Sequence, residues 1–151
     1  MPVAHGVWLR AVEPPDLPIH YAQQRDPASS AMAAVPVRDR AAFDAHWAAM
    51  LADPEVHLRS VVRGDEVVGS VLAFPRDGQR QVGYRIGCEH WGQGLASAAL
   101  ALLLEEVPER PLHARVAEHN VASLRVLERC GFRSIARERA DDVLLWVLRL
   151  G

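Results

Sequence analysis

The segment WGQGLASAALALLLEE, from Trp91 to Glu106, joins an uncharged, glycine-rich turn to an apolar helix. Apolar residues recur in it at i, i+3, i+4, i+7 and i+8, which predicts a core-facing stripe: Leu95, Ala98, Ala99, Leu102 and Leu103. No Ser, Asp or Asn stands at the start of this helix, although these residues cap helices best. Glycine leaves the first backbone N–H groups accessible, and the helix dipole favours an anion there. The pattern fits either a phosphate-binding turn or a tight strand-to-helix turn.

Two well-known phosphate-binding patterns do not match this turn. The dinucleotide pattern G-x-G-x-x-G would need a third glycine where Ser97 stands. The P-loop pattern needs a lysine, and the chain contains none. Neither a dinucleotide-binding protein nor a P-loop NTPase is therefore expected.

Outward from this helix, the period of the apolar residues indicates the other elements. Strands are predicted at 7–12, 56–64, 66–74, 80–87, 112–118, 132–140 and 142–150. Helices are predicted after the prolines at 14–15 up to about residue 25, in 38–54, after Gly94 and in 120–131, with 28–37 as a loop. The helix in 38–54 would place one apolar face inward: Phe43, Trp47, Met50 and Leu51.

This order, β-α-α-β-β-β-α-β-α-β-β, predicts an α+β fold. We expect a mixed, mostly antiparallel central sheet of about seven strands with about four helices on its two faces. The stretch 81–118 could form a right-handed parallel crossover. The chain of 151 residues is expected to be a single domain, 1–151.

The composition limits which cellular location and which partners are expected. The formal net charge is -2 and no long basic run occurs, so nucleic acid is not an expected partner. The two scattered cysteines, Cys88 and Cys130, indicate a reduced intracellular setting rather than a disulfide scaffold. Neither a signal peptide nor a membrane-spanning run is predicted, which makes a cytoplasmic location the expectation.

Two segments together carry a resemblance to a known family. VGYRIGCEHWGQGLASAALALLL, followed by AEHNVASLRVLERCGF, resembles the GCN5-related N-acetyltransferases (GNAT), most closely the branch that contains RimJ and RimL. The resemblance covers about residues 56–150. It implies that the turn, which corresponds to the family pattern Q/R-x-x-G-x-G/A, binds the pyrophosphate of acetyl-coenzyme A (acetyl-CoA). Trp91 replaces the usual Gln or Arg, so one side chain of the family's phosphate site is missing.

The family's activity implies the function of the site. An acetyl-CoA-dependent N-acetyltransferase would move the acetyl group to a primary amine, of a protein N-terminus or a small molecule, by direct attack. The alternative is a non-catalytic acyl-CoA-binding sensor or partner subunit with the same fold. The cofactor-binding residues implied by the resemblance are Ile86, Trp91, Gly92, Gln93, Gly94, Leu95, Ala96, Ser97, Asn120 and Ser123.

Catalytic roles also follow from the resemblance. A backbone N–H near Ile86 would hold the oxyanion, while Val82, Tyr84 and Ile86 also read as an alternating core face. Leu127 stands where many members have a tyrosine acid. Ser123, in the pattern Asn120-x-x-Ser123, is the candidate acid for the leaving thiolate, with a surface serine as the alternative. Asn120 would bind the pantetheine arm or cap its helix.

The general base is left open by the sequence. Glu118 is the candidate, with His119, Glu138, Asp141 and Asp142 as other possibilities, and each also fits a solvated surface charge. The histidines show no metal-ligand spacing, so no metal is expected. Cys130 is expected in the core.

The acceptor pocket would come from 20–37 and the last hairpin. The loop in 20–37 is small and apolar, which disfavours a polycationic acceptor. The oligomeric state is not predicted.

Overall fold

The computed structural model describes residues 6–33 and 37–151. The strands are β1 (Val7–Ala11), β2 (His57–Arg63), β3 (Glu66–Arg76), β4 (Gln79–Ile86), β5 (Leu112–Ala117), β6 (Arg133–Ala140) and β7 (Val143–Leu150). The α-helices are α1 (Asp16–Arg25), α2 (Pro27–Ala33), α3 (Arg40–Ala52), α4 (Leu95–Glu106) and α5 (Val121–Arg129). A 3-10 helix, Cys88–His90, joins β4 to the turn before α4.

The seven strands form one sheet in the order β1-β2-β3-β4-β5-β7-β6. Every neighbouring pair is antiparallel except β4 and β5, which run parallel with α4 between them in the chain. This confirms the predicted α+β fold, with its mostly antiparallel sheet and its order of elements. The parallel pair is matched at only two positions, Arg80 with Leu112 and Gln81 with His113. Beyond them β4 and β5 separate, and that separation positions the candidate site.

The two faces of the sheet carry different helices. In β4, Val82 and Ile86 belong to the apolar cluster that includes α4, whereas Arg85 reaches Ser29 of α2. Since side chains alternate along a strand, these contacts lie on opposite faces. The predicted stripe of α4 is confirmed in large part, since its buried residues are Leu95, Ala98, Ala99, Leu100 and Leu103.

The predicted loop in 28–37 is wrong for its first half, because α2 occupies Pro27–Ala33. Residues 34–36 of that prediction lie outside the described residues. Proline suits the first position of a helix, where its missing N–H is not needed. The carbonyls of Ala31 and Met32 accept hydrogen bonds from side chains of His119 and Asn120, at 2.8 and 3.2 Å. Contacts from 88 positions along the chain thus stabilise a helix too short to be predicted alone.

The predicted inward face of α3 is narrower than expected. Phe43 is buried, and its ring lies 5.1 Å from that of Trp47. Leu51 is 47% exposed. At about 100° per residue, Leu51 lies about 80° around the helix from Phe43, which carries it off the buried stripe.

Candidate active site

The turn into α4 has a backbone conformation that favours glycine. Gly92 and Gly94 have φ angles of 78° and 75°, in the left-handed region. A Cβ placed on Gly92 would meet no atom within 4 Å, so the backbone conformation rather than crowding requires glycine there. The turn therefore presents bare backbone at the start of the helix.

The first turn of α4 has no side-chain cap. Gly94 is the N-cap residue and makes no side-chain hydrogen bond, and the helix begins its own bonding when the Ala98 N–H donates to the Gly94 carbonyl at 3.2 Å. The N–H groups of Leu95, Ala96 and Ser97 precede that bond and lack an intrahelical acceptor. Together with the helix dipole they form a site suited to an anion.

A cleft of about 460 Å³ extends from this turn past the separation of β4 and β5 to α2. It is lined by every predicted cofactor-binding residue except Gln93: Ile86, Trp91, Gly92, Gly94, Leu95, Ala96, Ser97, Asn120 and Ser123. A smaller cavity of about 140 Å³ lies between the separated strands. Four residues line both spaces and therefore lie where the two meet: Met32, Tyr84, Asn120 and Ser123.

Gln93 and Trp91 attach the turn to neighbouring strands. The side-chain oxygen of Gln93 accepts a hydrogen bond from Arg63 of β2, which directs that side chain away from the cleft. The Trp91 indole N–H donates to the Ile86 carbonyl at 2.8 Å, and the ring lines the cleft while remaining 45% exposed. Trp91 thus fixes the turn to the end of β4.

The Ile86 N–H points into the separation between the strands. A Cβ on Gly69 of β3 would lie 2.2 Å from the Arg85 carbonyl oxygen, so that carbonyl faces β3 at close approach. In a trans peptide the N–H points opposite to the C=O, which directs the Ile86 N–H away from β3 toward β5. β5 is not paired with β4 at that level. The donor predicted for the oxyanion therefore faces the cleft.

Tyr84 and Ser123 form a hydrogen-bonded pair where the strands separate. The Tyr84 hydroxyl lies 2.5 Å from Ser123 Oγ and 3.0 Å from the Ser123 carbonyl oxygen. Burial raises the pKa of Tyr84 to about 12, although the Ser123 hydrogen bond acts in the opposite direction. The phenol is therefore protonated at neutral pH. The sequence interpretation treated Tyr84 only as a core residue and missed this partner of Ser123; its position on one strand face with Ile86 was the available signal.

Asn120 uses both ends of its amide within the protein. Its oxygen accepts from the Ser123 N–H at 3.2 Å, which confirms that it caps α5. Its nitrogen donates to the Met32 carbonyl. Leu127, at the position where many relatives have a tyrosine, is buried in the core. Pantetheine binding by Asn120 stays a prediction.

The predicted general bases lie outside the cleft. Glu118 is exposed, and its carboxylate lies 3.4 Å from Arg137 of β6. Glu138 accepts two hydrogen bonds from Arg115, at 2.8 and 3.2 Å. Asp141 and Asp142 form the exposed turn between β6 and β7. A base role for Glu118 stays a prediction. It would require the amine to reach this carboxylate from outside the cleft.

Among the described residues, the charges that line the cleft are all on basic side chains. They are carried by Arg85, Arg125 and Arg129, and His90 is the one other ionisable basic residue of the lining. Among the described lining residues there is no Asp or Glu, although the chain has 19 acidic residues against 17 basic ones. Arg125 and Arg129, four residues apart on α5, share one helix face beside the turn. Their cleft position was not predicted.

Three further features of the described residues concern the cysteines, the metal-ligating side chains and the length of the helices. Cys88 and Cys130 are both free, and Cys130 packs against the core cluster as expected. No group of His, Cys, Asp and Glu in residues 6–33 and 37–151 is arranged to hold a metal ion. In that same part of the chain, none of the helices has the length and apolar character needed to cross a membrane.

Comparison with protein families gives one match. The model described as "Acetyltransferase (GNAT) domain" matches residues 7–133. No curated protein matches the sequence significantly.

Solved structures share the fold at low identity. Spermidine N-acetyltransferase from Vibrio cholerae, in complex with coenzyme A and spermine, has a TM-score of 0.85 and 15% identity, over 97% of this chain and 96% of that one. RimL, a ribosomal alpha-N-protein acetyltransferase in complex with coenzyme A, has a TM-score of 0.82 and 15% identity, over 99% and 96%. An aminoglycoside acetyltransferase with coenzyme A has a TM-score of 0.80 and 16% identity, over 95% and 94%.

Proposed function

Because the chain belongs to the GNAT acetyltransferase family, we propose that it uses acetyl-CoA to acetylate a primary amine by direct attack. The observation that carries the proposal is the uncapped, glycine-led start of α4, which opens onto a cleft that continues into the separation of β4 and β5. The RimJ/RimL-like branch is part of the proposal. It is supported by Asn120-x-x-Ser123 and by Leu127 in place of tyrosine. The cytoplasmic location stays a prediction.

The residues at the α4 end of the cleft fit the phosphates of the co-substrate. The N–H groups that begin α4 suit a pyrophosphate. Arg125 and Arg129 add two guanidinium groups, which bind phosphate in a bidentate manner. Gly92 and Gly94 keep side chains out of the approach. In the proposal, Trp91 orders this turn rather than contributing the polar side-chain contact that Gln or Arg would bring.

The N–H of Ile86 is proposed to stabilise the negative charge that develops on the thioester oxygen. When the amine nitrogen bonds to the carbonyl carbon, the oxygen becomes transiently anionic. The C–S bond breaks afterwards. A preorganised backbone donor that faces the cleft suits this task, because it needs no reorientation during the reaction. The nitrogen then loses a proton to water, the C–S bond breaks to leave the amide, and the sulfur leaves as coenzyme A once the thiolate has gained a proton.

Ser123 is proposed to donate the proton that the leaving thiolate gains. A hydroxyl group has a single proton, and the Tyr84 hydroxyl is within reach of two acceptors, the Ser123 carbonyl at 3.0 Å and Ser123 Oγ at 2.5 Å. While Tyr84 donates to Ser123 Oγ, the Ser123 proton is free to point into the cleft. Once Ser123 has given up its proton, Tyr84 can donate its own proton to Ser123 Oγ and regain one from water. The raised pKa of Tyr84 keeps that phenol protonated in the resting protein.

The pKa of the amine limits which acceptors the site can use, because the amine must lose a proton before it attacks. A lysine-like amine has a pKa of about 10.4, so a neutral form at pH 7 costs about 4.6 kcal/mol. An α-amine with a pKa near 7.8 costs about 1 kcal/mol. Since no carboxylate lines the described cleft, an amine of low pKa that loses its proton to water is favoured.

The same lack of a carboxylate in the described lining favours one other function. A protein that binds an acyl-CoA without transferring the acyl group needs the phosphate site but no base. Such a sensor or partner subunit would keep the α4 turn and the arginines of α5.

Two measurements separate these functions. Acetyl-CoA should raise the melting temperature through binding to the native state, and NAD should not. Release of coenzyme A should then depend on the presence of a panel of primary amines, with the acetylated product identified by its mass. Binding without release would support the sensor, and a shift with NAD but not with acetyl-CoA would contradict both functions.

A further inference from the structure

Arg85 has an unusual setting for an arginine. It lies on the face of β4 that carries α2 and lines the cleft. Its guanidinium donates to the hydroxyl of Ser29, which is itself 5% exposed. Within residues 6–33 and 37–151, no carboxylate oxygen lies within 4.0 Å of it. Burial lowers the pKa of Arg85, while the charge of Asp26, farther away, acts in the opposite direction.

A partly buried guanidinium without a close carboxylate is costly unless an anion reaches it. Other arginines of the chain illustrate the usual solution. Arg10 contacts Asp16 at 2.6 Å, and Arg115 binds Glu138 through two hydrogen bonds. Arg85 instead has one neutral hydroxyl, a cleft beside it and only the more distant charge of Asp26. The arrangement fits an anion supplied from solution.

The position of Arg85 separates it from the phosphate end of the cleft. Arg125 and Arg129 belong to α5 and flank the start of α4, on one face of the sheet. Arg85, Ser29 and Met32 line the cleft from the side of α2, across β4. Tyr84 and Ser123 stand between these two ends. An anion at Arg85 would thus belong to the molecule that approaches the reacting centre from the side of α2.

We propose that the acceptor is a primary amine that carries a carboxylate near its amino group, and that Arg85 binds this carboxylate and sets the acceptor specificity. This rests on the proposed acetyl transfer. The same chemistry occurs in a peptide N-terminus followed by an acidic residue, and in a free amino acid, whose carboxylate raises the pKa of its amine until Arg85 neutralises that charge. A polycationic amine is disfavoured, because basic side chains line the cleft and acidic ones are missing from its described lining.

Matched acceptor pairs test this proposal. One arm compares free amino acids with their carboxamides, and the other compares C-amidated tetrapeptides with Asp or Asn at the second position. kcat/KM is measured for wild type, Arg85→Gln, Arg85→Lys and the control Arg139→Gln, which changes an exposed arginine of β6. The ratio within a pair does not depend on how much of each variant is folded.

The carboxylate member should be preferred by about 10- to 100-fold in at least one arm, the range for a charge-assisted hydrogen bond. kcat/KM is expressed per neutral amine, because a free amino acid has a higher amine pKa than its carboxamide. Arg85→Gln should then reduce this ratio to within about twofold of one, Arg85→Lys should keep part of it, and Arg139→Gln should leave it unchanged. With coenzyme A present, the N-acetylated carboxylate should raise the melting temperature of wild type more than its amide does. Arg85→Gln should lose that difference.

Turnover of amides, or of spermine, as efficient as that of the carboxylates would overturn the acceptor class and leave acetyl transfer intact. Survival of the preference in Arg85→Gln would overturn the role of Arg85. Lack of coenzyme A release with every amine would overturn the acetyl transfer itself, and the acceptor class with it.

Discussion

The face of the sheet under α4 is held by aliphatic side chains, whereas the face under α1, α2 and α3 contains connected polar groups. Leu100 and Leu103 of α4 are fully buried in one apolar cluster. On the other face, Asp16, His20 and Ser60 are at most 2% exposed. Ser60 Oγ lies 2.8 Å from Asp16 Oδ2 and 3.0 Å from His20 Nε2. Each face thus satisfies burial in a different way.

This difference explains why the two ends of the cleft could not be predicted equally well from the sequence. Aliphatic burial requires only a suitable period and volume, so a single helix reveals it. A buried polar group is stable only when its partner arrives from elsewhere in the chain. The four predictions that follow test this contrast, from the largest expected effect to the smallest.

The first prediction tests the polar face through pH. Burial lowers the pKa of His20 to about 4, and Ser60, which donates to Asp16, accepts from the neutral ring. In the unfolded chain His20 becomes protonated below about pH 6.5. In the folded protein it becomes protonated only near pH 4. The free energy of unfolding should therefore fall by about 3 kcal/mol between those pH values. Urea unfolding across this range measures it, and His20→Gln should flatten the profile.

His46→Gln is the control for that experiment. Burial also lowers the pKa of His46, but this ring lies outside the Asp16 and Ser60 network. Removing it should change the slope less than removing His20. Equal slopes for wild type and His20→Gln would show that the polar face does not depend on a neutral His20.

The second prediction tests the boundary between the faces, where Ser123 meets Tyr84. Ser123→Ala should lower kcat about 10- to 100-fold at pH 7 and change acetyl-CoA affinity little, because the proton transfer occurs only in the transition state. The loss should shrink above about pH 8.5, where the thiolate needs no proton. A pH–rate profile measures this, with the exposed Ser134→Ala as control. A rate within twofold of wild type would leave the proton to water.

The third prediction tests the phosphate end of the α4 face. Gly94→Val places a branched side chain at φ 75° beside the N–H groups of the first turn. Acetyl-CoA affinity should fall by at least about tenfold, which corresponds to about 1.4 kcal/mol. Titration calorimetry measures it.

Gly78→Val is the matched control for Gly94→Val. Gly78 has φ 76° in the turn between β3 and β4, with open space around it and no place in the cleft. It should show the backbone strain without the loss of affinity. If Gly94→Val folds and binds normally, Gly94 serves only the turn.

The fourth prediction concerns Asn120, which joins the faces by capping α5 and bonding α2. Asn120→Ala should lower the free energy of unfolding by about 1 kcal/mol, as the loss of a helix cap does. Denaturant unfolding measures this effect. Hydrogen exchange of the amides of α2 should also rise, since the Met32 carbonyl loses a partner. Unchanged exchange in α2 would mean that this contact does not hold the short helix.

Part of the site was predictable because its chemistry lies in contiguous backbone. Gly92 and Gly94 form the turn that the spacing indicated, and they line the cleft together with the first three residues of α4. Gln93 matched the same pattern, yet its side chain turns to Arg63, 30 positions earlier in the chain. The direction in which a side chain points depends on neighbours that the local sequence does not contain.

By itself the sequence determined the strands, the helix that follows Gly94 and the sheet class, because hydrophobic period and glycine spacing are local properties. It also determined the cap at Asn120. Only the tertiary structure decided that 27–33 is helical, that Tyr84 meets Ser123 and that Arg85 lacks a close carboxylate among the described residues. These depend on groups up to 88 positions apart, and a contact at that distance exists only once the chain has folded.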